Sequence, residues 1–303
     1  MKTTVSFCHV TFPTPLISVS GVVVDVPQII KLAHLKGVGG VTTKSVSILP
    51  REGNPIPRVA SFGIGYINSV GLRNPGIKAA ILEMKELKNE IKKPIIASIF
   101  AFQMMEFPLL ASEIAKSKPD FIELNLSCPN VDDEIGRSFA TDPLLSAIAV
   151  MEVKKVVKNI PIIAKLTPNT PDLKRVAHEV EEAGADAISA INTVGPGIVI
   201  DLKRRKPILG NRVGGISGRA IKPIALRCVN DIYKTVNIPI IGMGGISTGK
   251  DAIEMIMAGA TLVGIGSAIY QGGQQVFNVI NDEMKEYLKA EKINSLKKII
   301  GII

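Results

Sequence analysis

Tryptophan is absent from this 303-residue chain, and aromatic side chains make up only 4% of it. Platforms for stacking nucleic-acid bases are therefore scarce, and the net charge of +9 needs another reading. The lysines are spread over helix-like segments (Lys85, Lys88, Lys92, Lys93; Lys154, Lys155, Lys158) and over Lys203 to Lys206. They read as solvated faces, which argues against nucleic acid and leaves an acidic partner or an anionic ligand open. Cysteine is also rare. Cys8, Cys128 and Cys228 are too few and too scattered for a disulfide framework, a zinc site or an iron–sulfur cluster. The three histidines (His9, His34, His178) lack metal-ligand spacing, so no metal is expected. No apolar run reaches the roughly 18 residues of a membrane span. The first eight residues carry one basic side chain and no long apolar core, which is not a secretory signal. A cytoplasmic protein is expected.

What is present is alternation. Short β-branched runs occur at Leu16–Ser20, Gly40–Lys44, Pro94–Phe100, Phe121–Leu126, Pro161–Leu166, Ala187–Asn192, Pro239–Met243 and Leu262–Ile265. Their near-continuous hydrophobicity suits a parallel sheet covered on both faces. Helical patterns lie between them, such as Val26–Leu35, Ile77–Glu90, Pro143–Val157, Leu173–Ala183, Ile221–Tyr233 and Lys250–Ala258. Asp142-Pro143 reads as a helix start, an N-cap followed by proline at the first helical position. Eight strand–helix units predict an α/β fold, a (β/α)8 TIM barrel, as a single domain over residues 1–303. A doubly wound sheet is the main alternative, but no Gly-x-Gly-x-x-Gly follows an early strand. The proline-rich stretch Val46–Gly76 predicts an irregular or small antiparallel insertion over the site. The tail Ile293–Ile303 reads as a last amphipathic helix packing on the barrel.

In a barrel the loops after the strands meet at one end. Asn125-Leu-Ser-Cys128-Pro-Asn130 follows the fourth strand and sets a thiol between two carboxamides. Amides grip donor and acceptor edges of a planar substrate, and a thiolate can remove a proton. Gly244-Gly245 ends the seventh strand, and Gly264-Ile-Gly266-Ser267 ends the eighth. Glycines there let backbone N–H groups approach a phosphate, of a cofactor or of a substrate. Gly214-Gly-Ile-Ser-Gly218 suggests a third, flexible contact. Lys44 and Lys165 stand at strand ends, where a lysine in apolar surroundings is costly unless it meets an anion. With Asn68 and Asn192, the asparagines make a ring of amides suited to an uncharged, imide-like substrate.

These motifs, with Thr42-Thr-Lys-Ser45, Asn68-Ser-Val-Gly-Leu-Arg-Asn-Pro-Gly76, Ala164-Lys-Leu-Thr-Pro-Asn169, Gly214-Gly-Ile-Ser-Gly-Arg-Ala-Ile-Lys-Pro223 and Gly242-Met-Gly-Gly-Ile-Ser-Thr-Gly-Lys-Asp251, resemble the class 1 dihydroorotate dehydrogenases. The resemblance covers nearly the whole chain, in order. Class 2 enzymes carry serine where Cys128 stands. Gly53-Asn-Pro-Ile-Pro-Arg58 and Phe139-Ala-Thr-Asp-Pro143 lean towards the class 1B catalytic subunit. The resemblance implies FMN near Ser20, Gly21, Lys44, Ser45, Asn125, Lys165, Ile191, Gly218, Gly244, Gly245, Gly266 and Ser267. It implies dihydroorotate held by Lys44, Asn68, Val70, Gly71, Leu72, Asn125, Asn130, Asn192 and Thr193, and oxidised to orotate in pyrimidine (UMP) biosynthesis. In the implied mechanism Cys128 takes the C5 proton, hydride passes from C6 to flavin N5, and Lys165 stabilises charge on the reduced ring. It further implies a homodimer and a separate FAD/[2Fe–2S] subunit passing electrons to NAD.

Other readings remain. A tRNA dihydrouridine synthase also joins FMN, a barrel and a cysteine, but it needs a helical RNA-binding domain. A redox-free isomerase of a phosphorylated metabolite would leave Lys44, Cys128 and the amide ring unused. A non-catalytic flavin-binding protein would show no substrate-dependent bleaching.

Overall fold

The computed structural model of the chain describes residues 3–126, 139 and 141–303. Eight parallel strands form its centre: β1 (Leu16–Ser18), β2 (Val41–Thr42), β3 (Ile95–Ile99), β4 (Phe121–Asn125), β5 (Ile162–Lys165), β6 (Ala187–Ala190), β7 (Ile240–Met243) and β8 (Leu262–Ile265). Each lies inside a run that the β-branched pattern predicts, and every residue in them is buried. Neighbours in sequence are neighbours in the sheet, with β8 beside β1. The ring closes where Gly39 N donates to Leu16 O at 2.7 Å and Ser18 N to Gly40 O at 3.2 Å. The result is the (β/α)8 barrel the sequence predicts.

Among the described residues, eight helices of eight residues or more wrap the ring: α1 (Val26–Ala33), α2 (Ile77–Glu90), α3 (Glu106–Ala115), α4 (Pro143–Val156), α5 (Leu173–Glu182), α6 (Lys222–Tyr233), α7 (Gly249–Met257) and α8 (Val276–Ala290). Their starts are written locally. Asp142 caps α4 by accepting from Leu144 N and Leu145 N, with Pro143 behind it, and Thr248 and Asp251 form a reciprocal capping box on α7. Helix α5 buries Leu173, Val176, Ala177 and Val180, a single stripe at i, i+3, i+4 and i+7 against the strands.

The barrel floor is closed by a hairpin, Val5–Phe7 with Val10–Phe12. Cys8 and His9 both have positive φ, at 46° and 68°, as a two-residue turn between twisted strands requires. Phe7 and Phe12 pack on Phe121 at 5.6 and 5.9 Å between ring centroids. Burying each ring contributes about 1.5–3 kcal/mol. The Cys8 thiol donates to Asp186 O at 3.2 Å, so Cys8 belongs to the scaffold, and Cys228 is buried in α6.

The insertion after β2 does contain an antiparallel pair, Val59–Ser61 with Tyr66–Asn68. It is extended by Gly214–Ser217 and Val194–Gly197 into a four-stranded flap. Gly214–Gly218 is therefore not the flexible loop its glycines suggest. The glycines are there because backbone and side chains press close: a Cβ on Gly215 would collide with Thr193. The tail also departs from expectation. After α8 the chain turns at Lys292 (φ 55°), Ile293 N bonds back to Leu288 O, and only a 3-10 turn at Leu296–Lys298 follows. That αL turn ends the helix, and the amphipathic closing helix is α8 itself.

Candidate active site

Alternation along the strands decides what reaches the barrel mouth. On β4, Glu123 and Asn125 share the inward face; Asn125 pairs in register with Lys165 of β5, Glu123 with Ser98 of β3, and Lys165 with Ser189 of β6. Above this layer opens a cavity of about 640 Å³, within the range that holds cofactors and similar ligands. The flap roofs it with Tyr66, Asn68, Gly215 and Ser217, and the loops after β1, β6, β7 and β8 make its walls. Tyr66 of the flap meets Tyr270 of the barrel at 5.3 Å between ring centroids.

Beneath the cavity runs a buried polar chain. Glu123 is 2% exposed. Its Oε1 accepts from Ser98 Oγ and its Oε2 from Ser189 Oγ, both at 2.9 Å, and Lys165 Nζ stands 3.6 Å from Oε1. Ser98 is joined to Ser45 at 2.8 Å and Ser45 to Ser20 at 2.9 Å, while Asn125 Nδ2 donates to Ser45 Oγ at 3.4 Å. A buried carboxylate is tolerable only with such partners. Lys44 is placed differently. Among the described residues it makes no ion pair, and its ammonium lies over Gly21, whose Cβ would be 3.1 Å from Nζ. Burial, and then the charge of Lys165, push the Lys44 ammonium down to about 8. One lysine is balanced; the other carries charge that awaits an anion.

The opposite end of the cavity is built from backbone. Gly244 and Gly245 have φ of 126° and 79°, conformations that L side chains rarely adopt, and a Cβ on Gly245 would sit 2.6 Å from Lys222 Cβ. Gly264, Gly266 and Ser267 face them from the end of β8.

Ser20, Gly21, Lys44, Ser45, Asn68, Val70, Gly71, Leu72, Asn125, Lys165, Ile191, Asn192, Thr193, Gly218, Gly244, Gly245, Gly266 and Ser267 all line this one cavity. Cys128 and Asn130 lie outside the described residues. Four participants escaped the sequence reading. Glu123 is the most telling, since a carboxylate inside Phe121-Ile-Glu-Leu is as costly as a lysine in an apolar strand and called for the same question. Ser98 and Ser189 had no visible signal beyond polarity in buried strands. Asn169 also takes part: its Nδ2 donates to Thr193 O and its Oδ1 accepts from Gly195 N, each at 3.0 Å, fixing the rim beside Asn192.

A barrel whose mouth joins an anion-ready glycine cradle to a floor of buried cations is that of an enzyme anchoring a phosphorylated cofactor or substrate. The family model "Dihydroorotate dehydrogenase" matches residues 2–288, and the chain belongs to that family. The chain is 44% identical over 302 residues to the dihydroorotate dehydrogenase B (NAD(+)) catalytic subunit of Pyrococcus furiosus, covering 100% of this chain and 99% of that one. It is 40% identical to the protein so named from Methanothermobacter thermautotrophicus, covering 98% and 97% of the two chains. A solved structure of the Eimeria tenella dihydroorotate dehydrogenase in complex with ferulenol superposes with a TM-score of 0.84 at 21% identity, over 99% of this chain and 88% of that one; it supports the fold.

The family's cofactor is FMN, and the residues present fit it. The glycine cradle suits a phosphate monoester, because Gly244 and Gly245, at positive φ, let backbone N–H groups come close to an anion. At the other end Lys44, Lys165 and Asn125 offer cations and an amide to a ring that gains negative charge on reduction. Val19, Ile191 and Met243 supply apolar wall between the two. Among the described residues no helix is long and apolar enough to cross a membrane.

Proposed function

We propose that this cavity is where the chain oxidises (S)-dihydroorotate to orotate, with FMN bound from the glycine cradle to the two lysines. The observation that carries this reading is the convergence of Lys44, Lys165, Asn68, Asn125 and Asn192 on one cavity that ends in Gly245 and Gly266. Gly244, Gly245, Gly266 and Ser267 hold the phosphate, while Ser20, Gly21, Ser45, Ile191 and Gly218 flank the rest of the cofactor. Bound FMN supplies the hydride acceptor. Lys44, Asn68, Asn125, Asn130, Asn192 and Thr193 orient the pyrimidine by its donor and acceptor edges, and the Val70-Gly71-Leu72 backbone faces its carboxylate. Cys128, as thiolate, removes the C5 proton. Lys165, charge-balanced by Glu123, sets a fixed positive charge beside the ring.

The purified chain should be yellow, and dihydroorotate added without oxygen should bleach it. A colourless protein, or a yellow one indifferent to dihydroorotate, overturns the reading. Gly245→Ala supplies a finer test. Its positive φ costs a non-glycine residue about 1–2 kcal/mol, and the new methyl crowds Lys222. FMN affinity should fall about tenfold or more, measured by flavin release from the folded variant.

The relatives' names also point to a partner. We infer a homodimer that passes electrons to a separate subunit carrying FAD and a [2Fe–2S] cluster, and through it to NAD. Reduction of NAD by dihydroorotate should then require addition of that second chain.

A further inference from the structure

Lys222 opens α6 directly under the Gly244–Thr248 turn: a Cβ on Gly245 would lie 2.6 Å from Lys222 Cβ and 2.9 Å from its backbone nitrogen. Its side chain crosses to α7, where Nζ bonds Asp251 Oδ1 at 2.6 Å and Glu254 Oε2 at 2.7 Å. The other oxygen of Asp251 accepts from Ser247 N and Ser247 Oγ at 3.0 Å and from Thr248 N at 2.9 Å. One cation is thus tied through Asp251 to the turn that carries the phosphate-facing glycines. Two carboxylates gathered beside a site for a phosphate monoester, which carries about −1.5 to −2 charges at neutral pH, would repel it if left uncompensated.

We propose that Lys222 is a positioning residue for the cofactor's phosphate: it sets the Gly244–Thr248 turn through Asp251 and cancels carboxylate charge that would oppose the anion. The inference rests on the assignment of FMN to this cavity, and it makes the phosphate, not the ring, the part of the ligand that feels Lys222. Lys222 touches no reacting atom. Its side chain is 26% exposed and that of Glu254 32%, so the cluster is partly wet and its effect should weaken in high salt.

The test compares FMN with riboflavin, which has the same ring and no phosphate, by quenching of flavin fluorescence on the full-length apoprotein. The wild type should prefer FMN. Lys222→Met should weaken FMN at least tenfold and riboflavin less than twofold, and Lys222→Arg should restore most of the FMN affinity. Glu254→Gln removes negative charge while leaving the Lys222–Asp251 bond, so it should tighten FMN two- to threefold with riboflavin unchanged; it also serves if Lys222→Met does not fold. Equal weakening of both flavins by Lys222→Met would make Lys222 a mere staple between α6 and α7 and overturn the proposal, as would unchanged FMN binding. A wild type that binds riboflavin as well as FMN would instead overturn the phosphate assignment on which the proposal stands.

Discussion

Lys44→Met should make the flavin-free protein more stable at pH 7, and Lys165→Met should make it less stable, although the two ammoniums share one barrel mouth. Lys44 is lowered from 10.5 to about 8 by burial and then by Lys165. At 1.36 kcal/mol per pKa unit, keeping it charged costs the folded chain about 3–4 kcal/mol below pH 8. The unfolded chain binds more protons between about pH 8 and 10.5, so stability should rise with pH through that window as the penalty fades. Methionine removes the penalty and keeps the packing of the stem. Lys165 is paired with Glu123, at side-chain exposures of 7% and 3%, and breaking a buried pair costs about 3–5 kcal/mol. The hydroxyls of Ser98 and Ser189 still bond the carboxylate and soften that loss. Denaturant unfolding at pH 7 and pH 10 measures both. The Lys44→Met advantage should be smaller at pH 10, and a Lys44→Met protein that is less stable than wild type at pH 7 would show that the charge is already satisfied. Both variants should lose turnover if the two ammoniums serve the site as proposed; only the Lys44 ammonium is one that folding alone would discard.

The barrel was legible because a buried parallel strand has no polar face to preserve. Runs such as Ile95–Ile99 are buried at every position, so they stand out against amphipathic helices like α5. Lysines at strand ends, and glycines after β7 and β8, were legible for the same reason: each breaks a local rule, and something must compensate. The flap was only half visible. Tyr66–Asn68 pairs with Gly214–Ser217, more than a hundred positions along, and glycine marks close backbone approach as readily as flexibility. Glu123 stayed hidden because its partners come from β3, β5 and β6, a contact set that no local window contains. The tail misled through composition. Its apolar residues Leu296 and Ile299 are buried, but by a turn and an irregular segment that periodicity does not distinguish from a short helix.

Cys128→Ala should slow flavin reduction by dihydroorotate about 10²- to 10⁴-fold, the usual worth of a positioned general base, while FMN stays bound. Cys128 follows Asn125, the last residue of β4, by three positions in the sequence. Among the described residues that line the cavity there is no carboxylate and no histidine. The competing base is Lys44, which burial brings to about 8 and hence to partial neutrality near that pH. The two assignments differ in what a variant does to the pH profile. A free thiol titrates near 8.5, so the wild-type bleaching rate, followed anaerobically by stopped flow, should rise through the neutral-to-alkaline range. Cys128→Ala should lose that rise along with the rate. Cys128→Ser should keep some activity, displaced to higher pH because a hydroxyl gives up its proton far less readily. If Cys128→Ala instead bleaches at close to the wild-type rate with the same profile, the proton goes to Lys44, and the thiol serves only to shape the loop between the two amides.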